Sequence, residues 1–231
     1  MRSVFVIPLL ACTLLYLVFL LFCNYRLHER FFRFFEAPIQ GKVWQTETEK
    51  FFKLYPAPVK HSILFAGDSH MEQCEWHELF PGKIVLNRGI GSEQSRHLLE
   101  RLRNQITDSM VIVIQTGIND LISGIPVDSV LASHRRLFQL TKEKKCTLYP
   151  CMIFYTRFLP EVNSKVFELN GKLSDFYSEN EIPVVDINPM ISENHRLLSI
   201  YTLDGLHLNA KGYGVWHEAL IRRMKISRDS R

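Results

Sequence analysis

From Ser62 onward, short apolar runs alternate with amphipathic stretches, and nothing else in this 231-residue chain restricts its fold as strongly. Ile63 to Ala66, Ile84 to Asn87, Val111 to Gln115, Thr147 to Phe154 and Val184 to Asp186 read as strands. Between and after them, Gln94 to Arg103, Val127 to Lys142, Ser164 to Ser178 and Lys211 to Arg223 carry apolar residues at helical spacing. Alternation of this kind is the pattern of βαβ units joined by right-handed crossovers. The expected fold is α/β, a three-layer α/β/α sandwich on a five-stranded, mostly parallel, flavodoxin-like sheet. With 46% hydrophobic and 23% charged residues, the chain can fill one such core.

In such sheets ligands bind beyond the carboxyl ends of the strands, where the strand order reverses. Ser69 and Asn119 each follow a predicted strand end, which places them on one rim. Ser69 lies in Gly67-Asp68-Ser69-His70, and far downstream Asp204-Gly205-Leu206-His207 supplies a carboxylate and an imidazole. A serine hydroxyl is a poor nucleophile at neutral pH and needs a base, and that base needs an orienting group. Ser69, His207 and Asp204 fill those three catalytic roles, so the two segments together read as a serine hydrolase.

The first segment departs from the rest. Ser3 to Tyr25 contains no charge and Val4 to Cys23 is almost unbroken apolar sequence, matching the roughly 20 residues that span a hydrocarbon core. No small-residue cleavage pattern follows, and Phe22 before Cys23 suits a lipoprotein site poorly, so an uncleaved transmembrane anchor over 1–25 is expected. Arg26, Arg30 and Arg33 interleave with Phe31, Phe32, Phe34 and Phe35, a pattern that suits a membrane surface or, equally, packing on the catalytic domain. A linker with a short helix around Thr46 to Leu54 completes 26–58, and the catalytic domain takes 59–231.

The formal charge of +4 is modest and no basic run exceeds Lys144-Lys145 or Arg222-Arg223, so nucleic acid is not an expected partner. Cys12 and Cys23 belong to the anchor, leaving Cys74, Cys146 and Cys151, an odd set that indicates no disulfide framework. The nine histidines include no HExxH or HxH pattern, so neither metal nor cofactor is expected.

Four blocks occur in order: Gly67-Asp68-Ser69-His70, Asn87-Arg88-Gly89-Ile90-Gly91-Ser92, Thr116-Gly117-Ile118-Asn119-Asp120 and Asp204-Gly205-Leu206-His207-Leu208-Asn209. On these blocks the chain resembles the SGNH or GDSL family of esterases and lipases from about Ile63 to Arg223. It looks closest to the branch holding platelet-activating-factor acetylhydrolase catalytic subunits and bacterial lysophospholipase-like enzymes. The resemblance implies attack by Ser69 on an ester carbonyl, His207 as base and then acid, and Asp204 fixing the ring tautomer. It also implies an oxyanion hole from the backbone N–H of Ser69, a backbone N–H in the second block and the Asn119 side-chain amide.

In the second block Ser92 stands where the family has glycine, with Gly91 before it. A backbone N–H does not require glycine, so Ser92 is the expected donor and Gly91 the reserve. His70 replaces the leucine of the family name and is expected to be a polar residue of a helix N-terminus, with a second-base role the less favoured reading. Asp68 and Asp120 are expected to brace loops. Arg88 and Arg157 are not taken as substrate-binding, since isolated arginines are usually solvated or paired. Tyr155, Phe158 and Leu159 follow a strand end and fit either an acyl pocket or core and lid packing.

The leading expectation is thus a membrane-anchored esterase acting on an acyl or O-acetyl ester of a lipid or glycan through an acyl-enzyme on Ser69. The same triad also suits an acyltransferase using a sugar or lipid hydroxyl, and the fold alone suits a non-catalytic membrane-anchored binding module. Counted strictly, the positive-inside rule places the domain in the cytoplasm by a single charge. The resemblance favours the extracytoplasmic face, so the side stays open.

Overall fold

The computed structural model describes residues 45–55 and 60–226, together with Phe19. The chain divides into two compact units, Met1–Thr46 and Glu47–Arg231. The expected anchor over 1–25 and the Arg- and Phe-rich stretch after it lie outside the described residues, save Phe19. No helix among the described residues is long and apolar enough to cross a membrane.

Residues 45–54 are helical (α1). Then follow β1 (Ile63–Gly67), α2 (Ser69–Glu72), α3 (Trp76–Leu79), β2 (Val85–Gly89), α4 (Ser95–Leu102), β3 (Val111–Gln115), α5 (Ile118–Ile122), α6 (Val127–Glu143) and β4 (Thr147–Pro150). The chain continues through α7 (Pro160–Glu179), α8 (Asn188–Ile191), the hairpin β5 (Ser192–Glu193) and β6 (Arg196–Leu197), and α9 (Ala210–Met224). Local chemistry sets several boundaries. Proline at the first turn opens α7, and the Asn209 side chain caps α9 by accepting from the N–H of Lys211 at 3.0 Å and of Gly212 at 3.1 Å.

The strands lie in the order β2-β1-β3-β4, all parallel. Gly67 pairs with both Gly89 and Gln115, so the first three strands end level and their following loops emerge on one edge. The order reverses between β1 and β3, which opens a crevice between the loops that carry Ser69 and Asn119. Strand periodicity sorts β1 onto both faces. Leu64 and Ala66 join a core with Leu98, Leu102, Val130, Leu169 and Leu173 from α4, α6 and α7. Ile63 and Phe65 join the other with Trp76, Trp216 and Leu220 from α3 and α9. Phe65 stacks on Trp76 at 4.2 Å between ring centroids, and Trp216 meets Trp76 edge-on at 5.1 Å.

The structure corrects the expected sheet. It has four strands, and Val184 to Asp186 contributes only a bridge between Val185 and Cys151. Val185 donates to Pro150 and accepts from Met152, both at 2.9 Å. Pro183 before it lacks an amide hydrogen, and Asp186 after it turns the chain by accepting from the N–H of Asn188 at 2.9 Å. The fourth strand is also shorter than the Thr147 to Phe154 expected. Beyond Met152 the ladder is replaced by side-chain amides: Ile153 donates to Asn170 at 3.0 Å, and its carbonyl accepts from Asn170 at 2.8 Å and Asn188 at 3.0 Å.

Candidate active site

Ser69 opens α2 directly after β1, with Asp68 as its cap. Buried Asp68 accepts from the N–H of His70 at 3.0 Å, so it holds the turn that presents the serine. Gly91 lies against this turn, where an added Cβ would stand 4.0 Å from that of Ser69 and 2.8 Å from a Glu72 carboxylate oxygen. A side chain at that point would press on the Glu72 carboxylate and reach ordinary contact with Ser69.

The second half of the site comes from the loop between the β5–β6 hairpin and α9. Asp204 and His207 sit in a non-helical bend closed by an antiparallel bridge between Thr202 and Leu208. The Thr202 hydroxyl accepts from the N–H of Gly205 at 2.9 Å and donates to the His207 carbonyl at 2.7 Å. Gly205 has φ of +93°, and the Phe158 ring lies where its Cβ would be, so this turn needs glycine on two grounds. The bend presents one Asp204 oxygen to the N–H groups of Leu206 at 2.9 Å and His207 at 2.8 Å.

The other Asp204 oxygen is 2.7 Å from Nδ1 of His207, and Nε2 of the same ring is 3.0 Å from Oγ of Ser69. Burial pushes the Asp204 carboxyl up, but bonds from the His207 ring and from two backbone N–H groups outweigh it and hold the group at about 2. It is therefore ionised at neutral pH and fixes Nδ1 as the protonated nitrogen, leaving Nε2 to accept from the serine.

Asn119 lies in the first turn of α5, its side-chain amide donating to the Glu93 carbonyl at 3.2 Å. Behind it, Asp120 accepts from the Ser95 N–H at 2.9 Å and hydroxyl at 2.8 Å, tying the turn after β3 to the start of α4. Ser92 has φ of +60°, the left-handed region that favours glycine, and its side chain is exposed.

Two features of the site were not legible in the sequence. His70 is buried, with Nε2 3.0 Å from the Leu206 carbonyl and Nδ1 3.3 Å from Asp68. It joins the nucleophile turn to the loop of the base, beyond the simple helix-start role expected of it. The second is a buried ion pair in which Arg101 donates twice to Glu93, at 2.9 and 2.6 Å, and once to the Arg88 carbonyl at 2.8 Å. Burial pushes the Glu93 carboxyl up while Arg101 draws it down, with a net rise. The available signal was an arginine on the apolar stripe of Leu98, Leu99 and Leu102.

The other candidates have different surroundings. Arg88 donates to the Tyr55 carbonyl at 3.1 Å and lies over the Phe52 ring of α1 at 4.4 Å. Tyr155 is buried, whereas Phe158 and Leu159 are exposed. Among the described residues no group of three His, Cys, Asp or Glu side chains is placed to hold a metal ion.

Residues 66–215 match the model of the GDSL-like lipase/acylhydrolase family. Over 112 residues the chain is 35% identical to an N-acylneuraminate cytidylyltransferase of Streptococcus agalactiae, covering 48% of this chain and 27% of that protein. Over 90 residues it is 33% identical to platelet-activating factor acetylhydrolase IB subunit alpha1 of Homo sapiens, covering 36% and 38% of the two. The chain thus spans well under half the length of these curated relatives. A GDSL-like lipase from Bacteroides thetaiotaomicron superposes with a TM-score of 0.63 at 22% identity, covering 80% of this chain and 97% of that one. An acetylxylan esterase from Geobacillus stearothermophilus gives 0.57 at 17% identity, covering 74% and 96%. At these identities the two superpositions show a shared fold.

Proposed function

We propose that this chain, which belongs to the GDSL-like lipase/acylhydrolase family and is a hydrolase acting on ester bonds, works through an acyl-enzyme on Ser69. The observation that carries the reading is the continuous path from Asp204 through His207 to Oγ of Ser69, at 2.7 and 3.0 Å. Oγ attacks the ester carbonyl as Nε2 of His207 takes its proton, and the Asp204 carboxylate stabilises the imidazolium. The tetrahedral oxygen is met by the backbone N–H groups of Ser69 and Ser92 and the amide of Asn119, with Gly91 as reserve. Collapse breaks the bond from carbonyl carbon to alkoxy oxygen, and His207 returns the proton to the leaving alcohol. Water, deprotonated by the same ring, then attacks the acyl-enzyme, and the free acid leaves as Ser69 regains its proton.

The substrate in this reading is a carboxylic ester of a lipid or glycan, acetyl or longer. The human relative is named an acetylhydrolase, which supports a short acyl group. The uncharged stretch Val4 to Cys23 supports a membrane anchor ahead of a hydrolase domain over 59–231.

A fluorophosphonate probe and p-nitrophenyl acetate test the mechanism together. Labelling at Ser69, and hydrolysis lost in Ser69→Ala, are expected. Folded protein that resists the probe, or a Ser69→Ala variant with unchanged hydrolysis, would reject it. Carbonate extraction of membranes from cells making the full chain tests the anchor, which predicts retention in the pellet.

A further inference from the structure

Beside the loop of Asp204 and His207 lies a hollow of about 530 Å³, within the size range of ligand sites. Its walls include Arg157, Phe158, Asn163, His195 and Arg196. Arg157 donates its backbone N–H to the Gly205 carbonyl at 2.7 Å, and the Phe158 ring rests on Gly205. The wall of the hollow and the turn between Asp204 and His207 are therefore one packed unit.

Two arginine side chains line this wall. Arg196 donates through Nε to the Arg157 carbonyl at 2.8 Å, and Arg157 donates through Nη1 to the Leu197 carbonyl at 3.3 Å. The carbon of the Arg157 guanidinium lies 5.6 Å from the centroid of the Phe158 ring. Each arginine thus spends one donor on holding its own position and keeps others in hand. Among the described residues no carboxylate forms an ion pair with either, although Glu193 stands opposite Arg196 in the β5–β6 hairpin. An anion entering the hollow can form charge-assisted bonds to donors of both. His195, at a left-handed position of the hairpin turn, lines the same wall with its ring stacked on Tyr155 at 5.1 Å between centroids.

Resting on the ester-hydrolase reading above, we infer that this hollow is a subsite for an oxyanion, carboxylate or phosphate, carried on the alcohol part of the ester. The preferred substrate class is then an acylated acidic molecule, its ester at Ser69 and its negative group between Arg157 and Arg196.

The test uses matched esters: 3-acetoxybenzoate against its neutral methyl ester, and acetylglycerol 3-phosphate against acetylglycerol. Binding is measured calorimetrically on Ser69→Ala protein, where no turnover occurs, and kcat/KM on the active enzyme. At least one anion should bind more tightly than its neutral partner. In Arg196→Gln and Arg157→Gln the anion-to-neutral ratio should fall by about tenfold, and the wild-type ratio should decline with added salt. The carboxylate and phosphate pairs show which anion the site takes. Equal binding of charged and neutral esters, or a ratio untouched by both substitutions, would overturn the inference. Loss of turnover on every ester, with anion-selective binding intact, would instead remove the hydrolase reading and leave the subsite standing.

Discussion

The ring of His70 lies between Asp68 and the backbone carbonyl of Leu206, with Nε2 at 3.0 Å from that carbonyl and Nδ1 at 3.3 Å from the carboxylate. Both partners are acceptors, so the form that satisfies both ring nitrogens is the imidazolium. One residue beside the nucleophile thereby holds the residue beside the base, across 136 positions of sequence.

Replacing His70 by asparagine, which is too short to span both acceptors, should loosen the spacing of Ser69 and His207. A fall in kcat of about 10- to 100-fold with little change in KM is expected, as for other small displacements of reacting groups. Steady-state kinetics check it, and a change confined to KM would refute the positioning role.

The same ring makes a pH prediction. Burial, the largest influence, pushes its pKa down, but Asp68, the Leu206 carbonyl and the charge of Asp204 together leave it raised above 6.5. A folded-state value above the unfolded one stabilises the fold below the unfolded value, and that stability is lost as pH rises through the folded value. Wild-type Tm should therefore carry an alkaline decline that His70→Asn lacks, measured by calorimetry across buffers on both sides of neutrality.

His134 has the opposite sign. Fully buried between the Tyr177 hydroxyl and the Thr116 carbonyl, each at 3.0 Å, it is pushed down by burial to about 4. Its neutral form belongs to the fold, so stability is present above the unfolded value of 6.5 and is lost as pH falls through the folded one. Mild acid should lower Tm in wild type and lower it less in His134→Gln.

Asn119→Ala is expected to reduce kcat by roughly 10²- to 10³-fold, the usual loss when one oxyanion donor is removed. Its bond to the Glu93 carbonyl at 3.2 Å shows the amide already held in the crevice. A loss under about twofold would exclude it as an oxyanion donor.

Arg101 and Glu93 are almost wholly buried, at 1% and 7% side-chain exposure. Arg101→Leu leaves an unpaired carboxylate inside the protein and should cost about 3–5 kcal/mol by urea unfolding. The paired change of Glu93→Met with Arg101→Leu should recover most of that loss, because the greater part of the cost is the stranded charge.

Much of the fold was legible in the sequence. The periods of two and of about 3.6 located the first three strands and the longer helices, because those patterns depend on neighbours in the chain. The four blocks marked Ser69, Asn119, Asp204 and His207, since turns at strand ends are encoded by their own residues. The fifth strand was misjudged: Val184 and Val185 have strand chemistry, but Pro183 and the Asp186 turn leave one residue to pair. The roles of His70 and Arg101 escaped because their partners include main-chain carbonyls, which any residue type can supply.

By itself the sequence determined which segments become strands and helices and which side chains carry an alcohol, an imidazole and a carboxylate. Only the tertiary structure decided that Ser69 and His207, 138 positions apart, stand 3.0 Å from each other. It likewise brought Arg196 onto Arg157 and His70 onto Leu206. The reason is one of range. Propensity and periodicity act over a turn or two of chain, whereas a buried donor bonds whatever acceptor the packed sheet and helices bring to it.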